Sequence, residues 1–182
     1  FGIMISSPAG NDLMWDPAGN EQGRFFINKM WNALRLVKMW DSRQAEGQMQ
    51  NAEGSFAVAW FENRLHEVRA ELDAQFKDFR LSESLKTIYS LIWDDFCSWY
   101  LEWVKPGFEQ PIDKVIYEKT VGFFEELMQL LHPFMPFITE DIYHQLKERN
   151  EDLTMKEYAA IKQPVELILK HGILLKDFIT TI

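Results

Sequence analysis

Arg24, Asn28, Asn32, Arg35 and Lys38 recur at intervals of three and four residues. At 100° per residue they fall within roughly 120° of one another, on one flank of a helix. Trp31 lies inside that flank. The cations can neutralise phosphates, the amides offer donor and acceptor together to a base edge, and an indole can stack on a base. Arg80, at a break in the helical pattern further on, is a further candidate for a phosphate contact. From 21 to 43 the bases Arg24, Lys29, Arg35, Lys38 and Arg43 face only Glu21 and Asp41. A solvated helix face has the same appearance, and Trp31 serves equally well as a contact to another part of a larger protein. Spacing alone leaves these readings open.

No comparable case exists for catalysis. His66, His132, His144 and His171 lie on different segments with no i, i+4 pair. His132 precedes a proline, where a hydrogen-bonding role at a corner is expected. Glu140, Asp141 and His144 have helical spacing suited to a cation, but an exposed polar face accounts for them better. Asp94 and Asp95 are adjacent, hence about 100° apart on a helix, and do not converge as a two-carboxylate pair. Cys97 sits in an apolar stretch with no histidine near it in sequence and is read as a buried, inert thiol. There is no glycine loop to cradle phosphate. We therefore assign no catalytic residue and no metal ligand, and expect no cofactor in this chain.

The elements that must position the cationic flank are helices. Over 182 residues, hydrophobic side chains make up 47% and aromatic ones 14%, enough for a sizeable core. Strand-type alternation is absent. Punctuation at Pro17, Gly47–Gly54, Asp78–Arg80, Pro106-Gly107 and Pro133/Pro136 separates segments of helical period. The expected fold is all-α, an up-down bundle of about five helices near 18–42, 55–77, 82–105, 111–131 and 136–149. In the first, Phe26, Met30, Ala33, Val37 and Trp40 form the apolar stripe opposite the cationic flank. In the third, Leu85, Ile88, Ile92, Phe96, Trp99 and Trp103 form a seam that Trp93 and Tyr100 widen, so that helix is expected to be central. Ser82 is its expected N-cap. Pro111 is expected in the first turn of the fourth helix, with Val115, Val121, Phe124, Leu127, Met128 and Leu131 buried.

The net charge of −9 argues mildly against nucleic acid, but binding depends on local patches. The second helix is acidic, with Glu53, Glu62, Glu67, Glu71, Asp73 and Asp78 against Arg64, Arg69 and Lys77. It motivates an alternative function, a helical protein-interaction module with no RNA role. One cysteine fits a reducing compartment. No apolar run approaches the ~18 residues of a membrane span, and no signal-peptide pattern opens the chain. A cytoplasmic location is expected.

Five strings in order carry a resemblance. They are Ser7-Pro8-Ala9-Gly10-Asn11-Asp12-Leu13, then Glu21-Gln22-Gly23-Arg24 with Asn28-Lys29-Met30-Trp31-Asn32-Ala33-Leu34-Arg35, then Phe79-Arg80-Leu81-Ser82-Glu83-Ser84-Leu85. Ile92-Trp93-Asp94-Asp95-Phe96-Cys97-Ser98-Trp99-Tyr100-Leu101-Glu102 and His132-Pro133-Phe134-Met135-Pro136-Phe137-Ile138-Thr139-Glu140 complete the set. The chain resembles the anticodon-binding domain of the valyl-tRNA synthetases over about residues 1–150. The last string alone marks the wider class I group that also serves leucine and isoleucine. The resemblance implies a helical bundle that follows a catalytic domain and grips the anticodon arm of tRNA(Val). It implies that the whole enzyme charges that tRNA with valine, using ATP and Mg, and edits wrong products in a further domain. The ATP-binding signatures and an editing region are missing here, and the chain begins with Phe1 in mid-pattern. We expect a piece of a longer ligase that binds RNA and does not catalyse. Its catalytic and editing domains would be partners, and a free-standing paralogue is a weaker possibility. The organisation expected is a lead-in at 1–16, the bundle at 17–150 and a divergent tail at 151–182, too short for the coiled-coil arm usual in that family. The individual contacts, Arg24, Asn28, Trp31, Asn32, Arg35, Lys38 and Arg80, rest on face geometry and not on the resemblance.

Overall fold

The computed structural model describes residues 1–6, 16–41, 44–45, 52–107 and 110–181; the Ser7–Leu13 string lies outside these. The elements are α1 (Gly2–Ser6), α2 (Pro17–Asp41), β1 (Gln44–Ala45), α3 (Ala52–Lys77) and α4 (Leu81–Ser90). A π-helical segment (Leu91–Tyr100) then leads without a break into α5 (Leu101–Val104). β2 (Ile112–Asp113), α6 (Lys114–Leu131), α7 (Pro136–Leu146), a 3₁₀ turn (Leu153–Met155) and α8 (Glu166–Thr181) follow. The fold is an all-α helical bundle. β1 and β2 form one short parallel pairing, with Gln44 opposite Ile112 and Ala45 opposite Asp113.

The apolar stripe of α2 is buried as its period requires, with Phe26, Met30, Ala33, Val37 and Trp40 all inside, joined by Leu34. Phe26 meets Tyr89 of α4 at 4.8 Å between ring centroids, and Phe1 stacks on Phe26 at 5.3 Å. The bundle centre is aromatic. Phe61 of α3 touches Phe96 at 5.3 Å, Tyr100 at 5.0 Å and Phe123 of α6 at 5.1 Å. The buried Tyr100 hydroxyl is satisfied by Thr120 Oγ1 at 2.7 Å.

The central helix departs from its expected seam. In the π segment the backbone bonds run i→i−5, as where Leu101 N–H donates to the Phe96 carbonyl. The wider turn brings Tyr100, Leu101 and Val104 to the interior and leaves Trp93, Trp99 and Trp103 only partly buried. Asp95, one of the two adjacent carboxylates, is buried: its carboxylate accepts from Arg64 Nε at 2.8 Å and Lys176 Nζ at 2.6 Å. Ser82 does not cap. It lies inside α4 and its hydroxyl donates to the Ile5 carbonyl at 3.4 Å, while the break before it is made by Phe79 at φ 56°. The fourth helix starts at Lys114, not Pro111, because the Asp113 carboxylate accepts from the N–H groups of Val115 (2.8 Å) and Ile116 (3.2 Å). In that register Ile116 is 4% exposed and Val115 39%, which corrects the expected buried set. At the proline corner, His132 Nδ1 shares a 2.8 Å hydrogen bond with Thr139 Oγ1, as expected.

The segment after α7 is clasped along its length. Glu140 accepts from Leu153 N–H at 2.7 Å, and Glu125 of α6 pairs with both Arg149 and Lys156, the latter at 2.9 Å. Gln129 donates to the Lys156 carbonyl, Tyr158 donates to the Gln129 carbonyl at 3.1 Å, and Arg69 donates to the Ala159 carbonyl. Val165 N–H donates to Asn63 at 2.6 Å. α8 then lies on α3, where a Cβ added at Gly172 would stand 2.2 Å from Trp60 Cδ1. The Lys176 ammonium sits 4.4 Å from the Trp60 ring centroid. Leu167, Leu174 and Phe178 point outward, exposed.

Two measurements check this packing. Burial alone would raise the Glu125 carboxyl, but the hydrogen bonds and charges of Arg149 and Lys156 outweigh it and hold the carboxyl below its ordinary value. Its contribution is therefore complete above the unfolded carboxylate value, ~4.3, and is lost as pH falls through the lower folded one. Glu125→Gln should cost about 1–2 kcal/mol at pH 7 and progressively less in acid; a gap in melting temperature that stays constant across the acid range would contradict this. Burial pushes the Cys97 thiol up to about 12, against a smaller opposing effect of Lys29. Native protein at pH 8 should resist iodoacetamide at least ~100-fold longer than urea-unfolded protein. Equal alkylation rates would show that the thiol is not enclosed.

Candidate nucleic-acid interface

Because Phe26, Met30, Ala33, Val37 and Trp40 face inward, the opposite flank of α2 faces out. Arg24, Asn28, Asn32, Arg35 and Lys38 are all exposed. They run for about 21 Å along the helix axis, at ~1.5 Å per residue. Arg24 makes a loose pair with Glu21 at 3.5 Å, both groups in solvent. Among the described residues, no side-chain hydrogen bond or ion pair engages Asn28, Asn32, Arg35 or Lys38. The C-terminal segment, which clasps α3 and α6, leaves this flank open. Such a surface can meet phosphates along its length and offer amide pairs to base edges between them.

The remaining expected residues stand differently. Trp31 is half-buried and packs against the core, so its ring is not free-standing. Arg80 lies at the α3–α4 break, exposed and ion-paired with Glu83. Two apolar side chains that the spacing argument passed over share the outer side of α2: Phe25, 49% exposed, and Met39. The Arg24 guanidinium lies 5.1 Å from the Phe25 ring centroid. Lys29, at the margin of the flank, places its ammonium 4.9 Å from the Trp93 ring centroid. The signal for Phe25 was present in the helical wheel, as an aromatic residue outside the apolar stripe.

A second group of polar residues gathers at the foot of α7. His144 Nε2 lies 3.1 Å from Glu140 Oε1 and 3.3 Å from Asp152 Oδ1. Asp141, weighed in the sequence as a companion of Glu140 and His144, instead accepts from Gln145 at 2.9 Å. Glu140 is already engaged by the Leu153 N–H, so these contacts fasten the 3₁₀ turn to α7. The acidic face of α3 is similarly occupied in part, with Glu62 paired to Lys119 at 3.2 Å and Glu67 to Arg64 at 2.6 Å.

Comparison with known proteins bears on what this surface serves. The family model of the anticodon-binding domain of tRNA ligase matches residues 58–181, from α3 through α8. The chain is 53% identical over 155 residues to a valine–tRNA ligase of Porphyromonas gingivalis, covering 85% of this chain and 18% of that protein. It is 52% identical over 151 residues to the enzyme of that name from Parabacteroides distasonis, covering 83% and 17%. Similarity to the valine–tRNA ligase of Christiangramia forsetii, 42% over 171 residues, covers 93% of this chain and therefore takes in α2. The chain thus spans less than a fifth of the length of these curated relatives. With a family match across more than half its residues and a helical bundle to go with it, the chain belongs to the anticodon-binding domain family of tRNA ligases.

Proposed function

We propose that the outer flank of α2 grips the anticodon arm of tRNA(Val), within a longer valine–tRNA ligase. Arg24, Arg35 and Lys38 contact backbone phosphates, Asn28 and Asn32 face base edges, and Trp31 frames the inner margin of the surface. Arg80 adds a phosphate contact from the α3–α4 break. The catalytic and editing domains of that ligase are the intramolecular partners. They activate valine with ATP and Mg, transfer it to the tRNA and remove wrong products, while this domain fixes where the tRNA lies. The cytoplasm is the compartment in which such an enzyme meets its tRNA; no described helix is long and apolar enough to cross a membrane.

The observation that carries the proposal is the continuous exposed row of cations and amides on α2, left without side-chain partners beyond Arg24's loose pair, in a chain of an anticodon-binding family. The protein's net charge of −9 repels RNA at long range, so binding rests on this local row and weakens steeply with salt. The alternative of a protein-interaction module centred on the acidic α3 face is less favoured, since Glu62 and Glu67 on that face already have cationic partners within the chain.

Arg35→Glu should raise the Kd for a tRNA(Val) anticodon stem-loop about tenfold at low salt and lower the slope of log Kd against log salt by about one contact. Circular dichroism should be unchanged, because Arg35 is exposed. Filter binding or gel shift against that RNA, with a mismatched arm as control, makes the test. An unchanged dissociation constant would overturn the assignment of the α2 flank.

A further inference from the structure

Phe25 is left half in water beside a neighbour, Phe26, that is wholly buried. A single exposed phenyl ring is ordinary on a protein surface and by itself signifies nothing. Its surroundings distinguish it. Arg24 holds its guanidinium 5.1 Å from the ring centroid. Asn28 follows three residues on and Asn32 seven, so all three side chains lie within roughly 60° on the helix wheel. Asn28 stands ~4.5 Å and Asn32 ~10.5 Å further along the axis. Trp31, the aromatic residue that the spacing places among these polar groups, is half-buried and packs against the core.

We propose that Phe25 is the ring on which an unpaired anticodon-loop base stacks. In this arrangement Asn28 reads the edge of that base and Asn32 the edge of the next. Arg24, already paired with the ring face, meets the phosphate of the stacked nucleotide. Stacking on a phenyl ring tolerates any base, because every base has a π face, so the discrimination falls to the two amides. The inference rests on the anticodon-arm reading above and adds to it the residue that holds a base in place.

The test uses Phe25→Leu and Phe25→Trp, with intact anticodon stem-loop RNA and a set of arms each made abasic at one loop position. Phe25→Leu should weaken binding of the intact arm roughly 5- to 100-fold, and Phe25→Trp should retain it. One abasic arm should bind the parent and Phe25→Leu equally, since the base that used the ring is gone. Melting temperatures should agree within ~2 °C, because exposed substitutions change stability little. Equal binding of the intact arm by parent and Phe25→Leu would overturn the proposal, as would a loss that persists with every abasic arm. If Arg35→Glu still weakens binding in that case, the RNA-binding flank stands and only the role of Phe25 falls. If the parent chain fails to bind the arm at low salt, both fall together.

Discussion

Phe61 meets rings from two other parts of the bundle, Phe96 and Tyr100 of the π segment and Phe123 of α6, and Phe96 meets Phe124 at 5.2 Å. Aromatic side chains bury large areas and prefer tilted or edge-on contacts, so a cluster of them tolerates few relative helix positions. The Tyr100 hydroxyl would be costly there without a partner, and the Thr120 side chain supplies it. Thr120 also donates to the Ile116 carbonyl, which ties the arrangement to the backbone of α6. Once these rings are seated, α3, the central helix and α6 have one mutual register. α2 has one way to lay its apolar stripe against them.

The outward flank of α2 is therefore a consequence of interior packing. None of the flank's amides helps to hold it in place. Its cations and amides stand clear because Phe26, Met30, Val37 and Trp40 occupy the other side. This separation lets an acidic protein carry a local cationic surface. Two enclosed carboxylates are each met by two cations within the fold, Glu125 by Arg149 and Lys156 and Asp95 by Arg64 and Lys176. The paired charges serve the fold and the unpaired ones remain available to a partner.

The helical class, the α2 stripe, the break at Phe79 and the corner at His132 were legible because each depends on residues close in sequence. What escaped depends on distant ones. Nothing local marks Leu91–Tyr100 as π-helical; the wider turn is resolved by which rings reach Phe61 and Phe123. Asp95 reads as a surface carboxylate until Lys176, 81 residues away, is brought to it. Val115 and Ile116 exchanged places because the helix start depends on the Asp113 cap and the β1–β2 pairing. In the candidate interface, the polar members were found by period alone. Trp31, for which spacing left stacking and an intramolecular contact equally open, is half-buried against the core, and Phe25 was passed over. On the helical wheel both lie outside the apolar stripe; how far each is covered depends on the elements packed beside α2, which spacing does not show.

Gly172 meets the Trp60 indole where even a methyl group would collide. A helix sliding along α3 by one residue would drive Ile173 or His171 into that ring, and by one turn Ile168 or Lys176. The contact thus works as a detent with a single notch. It sets the axial position of α8, and with it how taut the ten residues from 156 to 165 are drawn across α6 and α3. Trp60 in turn meets Phe61 at 6.0 Å, so the seat of α8 is continuous with the aromatic centre against which α2 is set.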